Sequence, residues 1–172
     1  MKSDEVNKII IQYANPGFIE SGLIRVKGKT SRWIGQAGKF TYKVFFGMGP
    51  KGGFVKGFGG TLTLDIVVKS DGIKEIEDWG SWIFYPDYLD DFDIQDCVNI
   101  CSKLRGGKIF DSLRDPVPQF LKIGKYQRSL YQYNFYEPND VMLWSSWVSD
   151  KIEKIVHGIN YKPIMVKDKL FH

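Results

Sequence analysis

Apolar positions along the chain recur with two periods. Val6, Ile9, Ile10, Tyr13 and Ala14 follow one another at three- and four-residue steps, which predicts a helix over 4–14. Ser3 is its predicted N-cap. Asp4 and Glu5 sit in the first turn, where the helix dipole favours acids, and Asn15-Pro16-Gly17 is the predicted stop. Ile9, Ile11 and Tyr13 also alternate, so a strand competes with the helix there. From Leu23 the period falls to two. Leu23 to Lys27, Lys39 to Phe46 and Thr61 to Val68 read as strands, the last with Leu62, Leu64, Ile66 and Val68 on one face. Ile73 to Tyr85 adds one or two more after a turn at Ser70-Asp71-Gly72.

The longer period returns twice. Ile94, Cys97, Val98, Cys101 and Leu104 form a stripe capped by Asp91 or Asp93 and ended by Gly106-Gly107. Pro138-Asn139-Asp140 opens the clearest helix, in which Val141, Trp144, Val148, Ile152 and Ile155 repeat until Gly158 stops it. Between these helices Gln119 to Tyr136 reads as one or two strands, and Pro163 to Val166 as a last one. Regular strand–helix–strand alternation is missing. The expected fold is α+β: one domain over 1–172, a mainly antiparallel sheet with about three helices packed on one side.

Charge alters this picture more than composition does. The 172 residues carry 24 Lys and Arg against 20 Asp and Glu, an ordinary globular balance. Along the chain the signs separate. Positions 21–69 hold nine basic residues and one acid, whereas 71–96 hold nine acids and one base. Such asymmetry points to a partner surface, unless the two blocks neutralise each other within the fold. Seven of the fourteen residues from Gly47 to Gly60 are Gly, so a basic, Gly-rich loop or arm is expected over 47–60. The N-terminus lacks the pattern of a secretory signal, and no apolar run reaches about 18 residues, so no membrane partner is expected. Cys97 and Cys101, four apart on one helix face, suit two reduced core thiols better than a disulfide. A bacterial or viral setting, in the cytoplasm or in a virion, follows from that.

Candidate chemistry is sparse. Gly47-Met48-Gly49-Pro50-Lys51-Gly52 matches a dinucleotide-binding pattern in letters only, because Pro50 interrupts it and strand residues follow where a helix must open. No Gly-Lys-Ser/Thr step completes a phosphate loop. Lys51 to Phe58 departs from the aromatic core of an RNA-recognition motif, since Gly53 stands at a required aromatic position. The acids from Asp87 to Asp96 lack the central Gly of a calcium loop. Glu75 and Glu77 form a carboxylate pair two apart, a spacing usual on a solvated strand. His157 and His172 are the only histidines, and neither lies near a nucleophile in a recognisable pattern. No enzyme, cofactor or metal is expected.

Binding is the expected activity. The first form is an inhibitor or immunity-type protein of bacterial or phage origin, which covers a basic partner surface with Asp87, Asp90, Asp91, Asp93 and Asp96. A virion assembly component, self-associating through its opposite charge blocks, is the second. Nucleic-acid binding by the aromatic, basic 21–69 segment is the third. For the last two, Arg32, Trp33, Lys51, Phe54, Lys56 and Phe58 are the candidate contacts, with Arg32 and Trp33 as an anchor pair in a polar loop unless Trp33 folds back onto the sheet, the commoner outcome for such a residue.

Overall fold

A computed structural model of the chain describes residues 1–37, 40–48, 60–69, 81–82, 88–105, 132–135, 137–161 and 166–167. In chain order the elements are α1 (Ser3–Glu20), β1 (Ile24–Arg25), β2 (Arg32–Ala37), β3 (Phe40–Met48), β4 (Gly60–Lys69), β5 (Ser81–Trp82), α2 (Asp91–Arg105), β6 (Gln132–Phe135), α3 (Pro138–Tyr161) and β7 (Val166–Lys167). The arrangement is α+β, and every strand pair is antiparallel. The strands form one sheet in the order β1-β2-β3-β4-β5-β7. Beyond β3, the other edge of β4 is shared: β6 pairs with Gly60–Thr63 and β5 with Val67–Val68.

Period-two alternation divides the sheet into two faces. Trp33 of β2 lies opposite Val44, and Phe46 opposite Leu64, so these residues share a face with Tyr42, Leu62 and Ile66. All of them are buried, and they join one hydrophobic cluster with Val6, Ile10, Ala14 and Phe18 of α1 and Val141, Trp144, Val148, Ile152, Ile155 and Ile159 of α3. Each large side chain buried there contributes about 1.5–3 kcal/mol. Burial also pushes the Tyr42 hydroxyl up to about 12.

Helix α1 is tied to the sheet by polar contacts inside this core. The Asn7 Oδ1 accepts from the Ser31 backbone N–H at 2.9 Å and from its hydroxyl at 2.8 Å. The Trp33 indole N–H donates to Asn15 Oδ1 at 3.1 Å, and its ring lies 4.4 Å from that of Phe18.

Three predicted boundaries move, each for a physical reason. First, α1 does not stop at Asn15-Pro16-Gly17 but runs on to Glu20. The Gly17 N–H donates to Ser149 Oγ at 3.1 Å, and that hydroxyl donates to the Ala14 carbonyl at 3.2 Å. The side chain from α3 therefore satisfies backbone groups beside the proline. Continuing the helix also places Phe18 in the core. At the other end of α1 the cap is Lys2, whose backbone N–H donates to the Glu5 carboxylate at 2.7 Å, and not Ser3.

Second, α3 passes through Gly158 and ends at Tyr161. Gly158 is where the Tyr88 ring rests on the helix, and a Cβ there would overlap that ring. Third, TSRWIGQAG contains strand β2, not a loop. Cys97 is buried in the core; the side chain of Cys101 lies outside the described residues.

Candidate functional site

Helix α2 starts with a reciprocal cap. The Asp93 backbone N–H donates to Asp90 Oδ1 at 2.9 Å, and the Asp90 N–H donates to Asp93 Oδ2 at 3.2 Å. This is the capping-box arrangement, with acids at both ends of the box. Asp90 is thus the cap, one residue before the earliest expected position. The inward stripe of the helix is Asp93, Cys97 and Ile100, four and three apart, which turns to α3 and the core.

On α3, Lys151 and Lys154 meet that stripe. The Lys154 ammonium donates to Asp90 Oδ2 at 2.9 Å and to both oxygens of Asp93, at 3.0 and 2.8 Å. Lys151 Nζ lies 3.2 Å from Asp93 Oδ1, 2.7 Å from Asp150 Oδ2 and 3.9 Å from Asp96 Oδ2. The Asp93 side chain is only 3% exposed, so its charge is held by these bonds and not by water.

The protonation states follow from the same contacts. The Lys154 hydrogen bond, aided by the Asp93 backbone N–H, holds the Asp90 carboxyl down to about 2. Asp93 first, then Asp90, raises the Lys154 ammonium above its ordinary range. The bond to Asp150 is the main cause that raises Lys151; burial opposes it and Asp93 adds to it. The protein's own ammonium groups therefore sit where a cation would have to bind. Among the described residues, no group of three His, Cys, Asp or Glu side chains is arranged to hold a metal ion.

With Asp90 and Asp93 engaged, the outward side of α2 is left to Asp91, Phe92, Gln95, Asp96 and Asn99. Phe92, Gln95, Asp96 and Asn99 lie on one face at steps of three and four. Phe92 is 87% exposed, and Asp91 beside it is also exposed. The Asp96 side chain remains 51% exposed despite its long contact with Lys151. Gln95 Nε2 donates to Asn99 Oδ1 at 3.2 Å along the same face. The result is an aromatic side chain on a capped helix end, bordered by two carboxylates.

The five acids expected to form one face thus divide. Asp90 and Asp93 are braced against α3, Asp91 and Asp96 face outward, and Asp87 lies outside the described residues. Phe92 was missing from that expected set. Its signal was present: on a helical wheel it falls opposite the stripe of Ile94, Cys97, Val98 and Cys101.

The basic candidates divide as well. Strand alternation sends Arg32 to the exposed face of the sheet and Trp33 to the core, where Trp33 is 0% exposed. The expected Arg32–Trp33 anchor pair is therefore corrected: the two side chains leave opposite faces of β2, and Trp33 is a packing residue. Lys51, Phe54, Lys56 and Phe58 of the Gly-rich segment lie outside the described residues, as do Glu75 and Glu77. No helix among the described residues is long and apolar enough to cross a membrane. Comparison of the chain with protein-family models, with curated proteins and with solved structures finds no match.

Proposed function

We propose that this protein acts by binding and not by catalysis, and that the start of α2 docks on a basic protein surface in the manner of an inhibitor or immunity-type protein. The exposure of Phe92 carries this reading. An unburied Phe forgoes about 1.5–3 kcal/mol of burial, which a partner pocket can recover. The Asp90–Asp93 cap and the Lys154 bridge fix the backbone that bears it, so little ordering entropy remains to oppose docking. Asp91 and Asp96 border the aromatic ring in the place of the polar rim around a hot spot. Their charges favour a basic partner and speed encounter with it. A bacterial or phage origin suits this role.

The test is capture of a partner from source-cell lysate by the tagged chain, then titration of the purified pair. Phe92→Ser is expected to weaken binding on the order of 30-fold or more. Asp91→Lys should mainly slow association and reduce its salt dependence. An unchanged Kd for Phe92→Ser, with the fold intact by circular dichroism, rejects α2 as the docking element.

A further inference from the structure

The loop that joins β1 to β2 gathers positive charge with no acid in its own sequence. Residues 21–32 carry Arg25, Lys27, Lys29 and Arg32 and neither Asp nor Glu. At the tip, Lys27, Gly28, Lys29 and Thr30 are all exposed, and none of them is an apolar residue of any size. Gly28 has a φ of 137°, a backbone region open to glycine and strained for other residues.

Both ends of this loop are fixed. The Val26 N–H donates to the Arg32 carbonyl at 3.0 Å, and Ser31 donates its N–H and its hydroxyl to Asn7 Oδ1 on α1. Across the turn, Arg25 Nη2 donates to the Gly28 carbonyl at 2.8 Å. The Arg25 Nε is buried and finds no acceptor among the described residues. The donors at the tip are unspent. Among the described residues, the N–H groups of Lys27, Gly28, Lys29 and Thr30 donate to no protein oxygen, and neither do the Thr30 hydroxyl and the Lys27 ammonium. Lys29 has one partner: its Nζ lies 3.8 Å from Asp4 Oδ2, with the two side chains 87% and 66% exposed. So long and open an ion pair is worth little, and a stronger anion displaces it.

We propose that this loop tip binds the phosphate backbone of a nucleic-acid duplex. Ammonium groups, a hydroxyl and backbone N–H groups are the donors that proteins turn to phosphate oxygens, and such contacts read no base edge. The tip has no aromatic ring to stack on unpaired bases. It also has no apolar side chain to sink into a lipid surface. Trp33, held in the core, cannot reach a base, and a phosphate contact does not need it. The anchored ends keep the donors in place before the ligand arrives, which lowers the entropy lost on binding. The site lies apart from α2 and is independent of the docking role given to Phe92, which its own variant decides.

The test is the anisotropy of a short fluorescent DNA duplex of mixed sequence, titrated with the full chain across about 50–200 mM salt. Binding is expected at the low-salt end, falling as salt rises and equal for duplexes of different sequence. Replacing both lysines, Lys27→Gln with Lys29→Gln, should lower affinity at least about tenfold there and reduce the salt slope by about two, one for each lost phosphate contact. Lys27→Arg with Lys29→Arg should bind as the parent does. Asp4→Asn, which releases Lys29, should tighten binding about twofold, a gain that misfolding does not produce. The proposal falls if the unaltered chain does not bind the duplex at the low-salt end, or if the double Gln variant binds with the parent's affinity and slope. It falls as well if Asp4→Asn weakens binding. Vesicles rich in phosphatidylserine offer the same phosphate chemistry from a lipid; capture by them through Lys27 and Lys29, without duplex binding, also overturns it.

Discussion

Replacing Gly17 by Ala sets two physical effects against each other. Inside a helix Ala is preferred over Gly by about 1 kcal/mol, so propensity alone makes the change stabilising. Packing opposes it. A Cβ at Gly17 would overlap the Ser149 carbonyl oxygen and hydroxyl and would stand 2.9 Å from the carbonyl carbon. Two of these atoms belong to the α3 backbone and cannot rotate aside. Restoring an ordinary carbon contact of about 3.5–4.0 Å requires the helices to part by roughly 1 Å. That movement strains the bonds from Gly17 N–H to Ser149 Oγ and from Ser149 Oγ to the Ala14 carbonyl. Overpacking costs about 1–3 kcal/mol, and each weakened hydrogen bond up to about 1 kcal/mol more. After subtracting the propensity gain, the net expectation is a loss of roughly 1–3 kcal/mol. For a chain of this size the midpoint should fall by roughly 3–10 °C. Thermal and urea unfolding, followed by circular dichroism, measure it. Ser149→Ala should cost about 1 kcal/mol alone, and adding it to Gly17→Ala should not restore stability, because the carbonyl overlap remains. A Gly17→Ala protein as stable as the parent, or more so, refutes the close approach of α1 to α3 at this point.

Trp33→Ala is expected to destabilise by about 3–5 kcal/mol in chemical unfolding, since a fully buried ring and its bond to Asn15 are lost; an unchanged midpoint would place Trp33 outside the core. Asp90 gives a pH signature. Its folded carboxyl is held down to about 2, below the ordinary value of about 3.9, so its stabilisation is complete above pH about 4 and disappears as pH falls toward 2. Melting curves from pH 7 to 2 should show less acid sensitivity in Asp90→Asn than in the parent; equal slopes would mean that Lys154 does not hold Asp90.

Long periodic segments were legible from the sequence because burial enforces their period. β3 and β4 lie within two residues of the expected limits, and the stripe of α3 faces the core from Val141 to Ile155 as its spacing indicates. What could not be read locally was settled by residues far along the chain. Pro16-Gly17 has the composition of a stop, and only Ser149 explains why α1 continues. Gly158 resembles a helix end until Tyr88 is seen resting on it. β2 was obscured by its polar, Gly-containing sequence, although Trp33 and Gly35 alternate inward with Arg32 and Gln36 outward. For the candidate site, charge counting pointed to the start of α2. It could not tell acids braced against α3 from those facing outward, because Lys151 and Lys154 lie about sixty residues away.

The bridge from Ser149 to Ala14 and Gly17 spans 135 and 132 residues, and this has a consequence for biosynthesis. At about 5–20 residues per second, roughly 7–27 s separate the emergence of α1 from that of the helix that covers it. During this interval Ile10, Ala14 and Phe18 lack the α3 side chains that share their cluster. Strand β4 likewise obtains its β6 neighbour only after residue 132 has left the ribosome. High contact order of this kind slows folding. A nascent chain stalled before α3 would expose the apolar side of α1, and it is at that stage that chaperone binding should be strongest.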